Sequence, residues 1–158
     1  MKPVQKILFP ADLSAASPRI VPWVKAMAER FDAEVIVLFV ARVFGHYSGM
    51  GVPYAFVTDF EAEIIKGARQ SLDNFMNNHF KGVRARPELI RGYPAEEILN
   101  FAREESVDLI IIGTHGRKGL ERILFGSVAE HVVKNSPVPV LTVNPYRTDA
   151  AEPKPDAQ

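Results

Sequence analysis

Four times along this chain a short apolar run is followed by a stretch whose apolar residues recur every three or four positions, and a fifth apolar run closes the series. Val35-Ile36-Val37-Leu38-Phe39-Val40 and Leu109-Ile110-Ile111-Ile112 lack the polar alternation of a half-exposed strand. They read as parallel strands covered on both faces. Lys6-Ile7-Leu8-Phe9 is a shorter run stopped by Pro10, and residues 84–90 carry charges and Pro87, as an edge strand tolerates. Val138-Pro139-Val140-Leu141-Thr142-Val143 is the last run, and Pro139 places it at a sheet edge as well. Strands that alternate with helices form a parallel sheet, because each right-handed crossover lays its helix on one face or the other. The expected fold is therefore a single doubly wound α/β domain with helices on both faces.

Helix boundaries follow from caps and breakers. Ser17 followed by Pro18 predicts a capped start, and Val21, Val24, Met27, Ala28 and Phe31 are expected to share the buried face of the helix behind it. Thr58 and Glu61 have the spacing of a capping box, which predicts a second helix from there to about Phe80, ended by Gly82. Pro94 opens a third helix through Ile98, Phe101 and Ala102, and Ser127 to Asn135 forms a fourth. The domain is expected to span residues 1–146. Residues 147–158 hold no large apolar side chain and are expected to be a disordered tail.

Composition removes several functions. Nineteen Lys and Arg balance nineteen Asp and Glu in the 158 residues, so the chain lacks the basic surplus expected of a nucleic-acid or anionic-membrane binder. There is no cysteine to act as nucleophile or thiolate ligand. Apolar runs fall far short of the ~20 residues needed for membrane insertion, and a cytoplasmic protein is expected.

In an open α/β sheet, ligands bind beyond the carboxyl ends of the strands, where the winding reverses. One loop after a strand is rich in glycine: Gly113-Thr114-His115-Gly116-Arg117-Lys118-Gly119, then Gly126-Ser127 at a helix start. Glycines let backbone amides close on an anion, and the free amides and dipole of the next helix favour negative charge. Neither the P-loop nor the dinucleotide fingerprint fits this spacing. A plain turn before an ordinary cap is the bland alternative, just as Asp12 could do no more than cap a turn before Ser14.

The spacing Gly113, two residues, Gly116, nine residues, Gly126-Ser127 resembles the signature of the ATP-binding subgroup of the universal stress protein family. The likeness extends to Ile7-Leu8-Phe9-Pro10-Ala11-Asp12, Gly92-Tyr93-Pro94 and Ser136-Pro137-Val138-Pro139-Val140-Leu141. It implies a five-stranded sheet of order 3-2-1-4-5. It also implies that Pro10, Ala11 and Asp12 line the adenine and ribose side, that Val40 offers backbone groups to adenine, and that Ile112 and Gly113 border the ribose. Gly116, Gly126, Ser127 and Val128 would hold the phosphates of ATP, ADP or AMP, with Mg or Mn held through those phosphates. A homodimer through the last strand is implied too.

Asp12 is the one acid at a strand end, so no catalytic residue is assigned, and a nucleotide-binding stress sensor or regulator is expected rather than a fast enzyme. A slow ATP hydrolase or nucleotidyl-transferring enzyme is the alternative. His115 and Lys118 could face phosphate or water, His131 is expected to be structural, and His46 and His79 show no metal-ligand spacing. The aromatic-rich loop at 43–57 could be a lid or could pack on a neighbouring surface.

Overall fold

The computed structural model describes residues 2–42, 54–114 and 126–146. In chain order the elements are β1 (Lys6–Pro10), α1 (Ser17–Phe31), β2 (Glu34–Ala41), α2 (Tyr54–His79), β3 (Ala85–Arg91), α3 (Pro94–Glu104), β4 (Leu109–Gly113), α4 (Ser127–Asn135) and β5 (Val140–Val143). The five strands are parallel in the order β3-β2-β1-β4-β5. That is the doubly wound order implied by the resemblance.

Strand alternation divides the core in two. Ile7, Phe9, Val35, Val37 and Ile111 point to one face and pack under Ile20, Val21, Val24 and Ala28 of α1 and Leu72 and Phe75 of α2. Leu8, Ile36, Leu38, Val40, Ile110 and Ile112 point to the other, under Ile98, Leu99, Phe101 and Ala102 of α3 and Ala129 and Val132 of α4. Both faces of the central strands are thus closed, which is why their sequence shows no polar alternation.

The edge strands carry their prolines differently. Val35 N donates to Arg84 O and Gly92 N to Ala41 O, so the even-numbered residues of β3 face β2 and Pro87 faces outward, where a missing N–H breaks no ladder bond. On β5, Ile110 N donates to Pro139 O and Thr114 N to Val143 O. Positions 139, 141 and 143 therefore face β4, and Val140 and Thr142 turn their backbone groups to the open edge. Pro139 lacks its N–H on the side facing β4, so the last strand begins at Val140, two residues later than the apolar run begins.

The second helix also departs from expectation. It starts at Tyr54, which puts Thr58 and Glu61 inside it rather than at its cap. No helix among the described residues is long and apolar enough to cross a membrane. The tail at 147–158 and residues 43–53 lie outside the described residues.

Candidate functional site

The sheet opens at its switch point because of Pro10. β1 pairs with β2 over five residues, from Lys6 opposite Glu34 to Pro10 opposite Leu38, whereas β1 and β4 pair only at Ile7 with Leu109 and Leu8 with Ile110. Even-numbered residues of β1 face β4, as the bond from Asp108 N to Lys6 O shows. The next donor in that ladder would be at position 10, and proline has none. The strands therefore run on unpaired to Pro10 and Gly113, leaving a crevice between their carboxyl ends.

Backbone groups converge on this crevice. Since Ile110 and Thr114 face β5, Gly113 turns its N–H and C=O toward β1, past the last bonded pair. Val40 faces the β1 side one step beyond the final β1–β2 bond, Ala11 N to Leu38 O at 2.9 Å. Its N–H and C=O meet no partner among the described residues. Ala11 is buried, Pro10 and Gly113 are half-buried, and Ile112 sends its side chain into the α3–α4 layer.

Asp12 follows directly and stays exposed. Its Oδ1 accepts from Ser14 N at 3.0 Å and from Ser17 Oγ at 2.8 Å. Leu13 between them holds a left-handed φ of 57°. Asp12 does cap the turn, then, and its second oxygen, Oδ2, has no partner among the described residues. Ser17 is not the cap of α1: Ala16 occupies that position, and Ser17 is the first helical residue, buried, with its hydroxyl turned back to Asp12.

Across the crevice, the glycine-rich loop closes at its neck. Thr114 is buried, its N–H bonds to Val143 O, and its carbonyl accepts from Gly126 N at 2.6 Å. Gly126 has φ −70° and ψ 153°, open to any residue, so its requirement is space: an added Cβ would lie 3.2 Å from Thr114 O. Gly126 also caps α4, whose first helical bond is Glu130 N to Gly126 O. The amides of Ser127, Val128 and Ala129 precede that bond and carry the positive end of the helix dipole. Ser127 is exposed and Val128 half-buried. Gly116, His115 and Lys118 lie outside the described residues.

A protein-family model for the universal stress protein family matches residues 3–144. The chain belongs to the universal stress protein family. Universal stress protein MJ0531 of Methanocaldococcus jannaschii is 38% identical over 141 residues, 88% of this chain and 81% of that protein. MJ0577 of the same organism is 35% identical over 152 residues, 88% of this chain and 94% of that protein. A solved structure of MJ0577 superposes with a TM-score of 0.77 at 33% identity, covering 90% of this chain and 97% of that one. The Archaeoglobus fulgidus universal stress protein solved in complex with dAMP shares the fold, with a TM-score of 0.66 at 22% identity over 90% of this chain and all of that one.

Within this family member, the crevice gathers Pro10, Ala11, Asp12, Val40, Gly113, Gly126, Ser127 and Val128 around one end of the sheet. Sequence reasoning missed Ser17 as the partner of Asp12, Thr114 as the neck of the loop, and Pro10 as the residue that parts β1 from β4. Only Pro10 left a readable signal, a missing donor in a strand that must pair on both sides. Among the described residues no group of three His, Asp or Glu side chains is placed to hold a metal ion. His131 is exposed on α4, and His79 meets Phe75 in a tilted ring contact with centroids 4.8 Å apart, far along α2 from the crevice.

Proposed function

We propose that this universal stress protein binds an adenine nucleotide, ATP foremost, in the crevice between β1 and β4 and acts as a cytoplasmic sensor or regulator. The observation that supports it is the meeting of three sets of uncommitted polar groups at one opening. The N–H and C=O of Val40 are the donor and acceptor that the N1 and N6 positions of adenine require. Asp12 Oδ2 is an acceptor for ribose hydroxyls, with Pro10, Ala11, Ile112 and Gly113 bordering the sugar. The amides of α4, with the Ser127 hydroxyl, would take the phosphates, beside Gly126 and Val128. Binding of dAMP by a relative of the same fold agrees with this chemistry.

A divalent cation, Mg or Mn, would be held through the phosphates. It would supply charge neutralisation. The chain itself contributes binding and orientation. A second copy would join at the open edge of β5, where Val140 and Thr142 present matching donors and acceptors.

Thermal melting with ATP, ADP and AMP, each with and without Mg, tests the reading. At one hundred times the dissociation constant the linkage amounts to about 2.7 kcal/mol, or roughly 5–10 °C for a domain of this size. A melting temperature unmoved by all three at millimolar concentration refutes it.

A further inference from the structure

We propose that Ser17 is a positioning residue: it commits one oxygen of the Asp12 carboxylate to the protein so that the other is held ready for the ribose hydroxyls of a bound nucleotide. The inference rests on the nucleotide reading above and assigns to it a specificity for the sugar. Ser17 is 2% exposed, a poor location for a hydroxyl with no task. Its own N–H is engaged by Ser14 O, and α1 draws no cap from it. Its Oγ donates to Asp12 Oδ1, the same oxygen that takes Ser14 N.

Two donors on one oxygen have a directional consequence. With the Ser14 amide alone, the carboxylate could rotate about its Cβ–Cγ bond and offer either oxygen to either side. The Ser17 hydroxyl, fixed in the first turn of a helix packed on the sheet, anchors Oδ1 from a second direction and so fixes the plane. Oδ2 then points away from both donors with its lone pairs unused by any described residue. An ionised acceptor held in place makes stronger bonds to O–H donors than one that must be ordered on binding.

The test compares ATP with 2′,3′-dideoxy-ATP by equilibrium titration of the full chain. The parent is expected to bind ATP about tenfold more tightly than the dideoxy analogue, the size of one good charge-assisted hydrogen bond. In Ser17→Ala that ratio should fall to about two- to threefold through weaker ATP binding, with affinity for the dideoxy analogue unchanged. Ser17→Cys, nearly the same size but a poor donor, should behave like Ser17→Ala and serves if the alanine variant folds badly. In an Asp12→Ala background, Ser17→Ala should change nothing further. Equal weakening toward both nucleotides, or an unchanged ratio, overturns the assignment while leaving nucleotide binding in place. A parent that binds neither nucleotide overturns both readings.

Discussion

Proline placed at two adjacent positions of β5 should have opposite consequences, because the register turns their amides in opposite directions. Leu141 N–H faces β4, where Ile110 O is its partner in the parallel ladder set by Ile110 N to Pro139 O and Thr114 N to Val143 O. Ile110 is fully buried, so Leu141→Pro leaves its carbonyl without a donor in a dry site, a loss of about 1–3 kcal/mol. The half-buried Leu141 side chain, packed against Val143 and the α1 layer, adds about 1–2 kcal/mol when removed. The sum, about 2–5 kcal/mol, corresponds to roughly 5–15 °C in melting temperature. Thr142 N–H faces the open edge, and Thr142→Pro should cost about 1 kcal/mol or less, mainly through β-propensity. Thermal denaturation followed by circular dichroism measures both. Equal losses, or a larger loss for Thr142→Pro, measured at a protein concentration where parent and variants are all monomeric, would refute the register. Light scattering tests the proposed dimer: if two copies join antiparallel at this edge, residues 140 and 142 make the intersubunit bonds, the parent should weigh twice 17.6 kDa, and Thr142→Pro should have the mass of one chain. A mass unchanged by Thr142→Pro places the interface elsewhere.

Three further outcomes follow from groups away from β5. Burial of Asp108 opposes its charge, but the Lys2 ammonium at 2.7 Å and the Gln5 and Lys6 amides outweigh it and hold its pKa below the ordinary 3.8. A lowered folded pKa gives stability that is present above the unfolded value and lost as pH falls through the folded one, so Asp108→Ala should be about 2–4 kcal/mol less stable than the parent at pH 7, and that gap should begin to narrow as pH falls below 3.8 in urea titrations. Gly126→Ala should lower stability by about 1 kcal/mol by pressing on Thr114 O, and Gly126→Val by more, so melting curves must accompany any binding measurement on them. Gly92 sits at φ +144° with Glu97 side-chain atoms 2.6 to 2.9 Å from where a Cβ would be, and Gly92→Ala should lose about 1–3 kcal/mol by the same assay.

What the sequence disclosed was what short-range periodicity controls. The unbroken apolar runs of β2 and β4 could only be central strands, and Pro87 marked β3 as an edge because a missing donor has few places to go. The start of α2 was misread because Thr58 and Glu61 satisfy a capping box that the chain does not use. Ser17 was misread in the same way. A serine before a proline suits a cap, and only the fold brings its hydroxyl back to Asp12. The crevice itself depends on parity: whether Pro10, Val40 or Gly113 faces a neighbour or an opening is decided by strand register, which no local pattern encodes. The Arg86 guanidinium, which links Glu34 of β2, Glu88 of β3 and Glu105 beyond α3, is another non-local arrangement that spacing along the chain does not reveal.

The most direct test of the account is a crystal structure of the protein grown with ATP. Adenine should lie against the backbone N–H and C=O of Val40, the ribose hydroxyls within hydrogen-bond distance of Asp12 Oδ2, and the phosphates at the amides of Ser127 and Val128. ATP seated elsewhere on the molecule, or absent from the crevice at millimolar concentration, would contradict it.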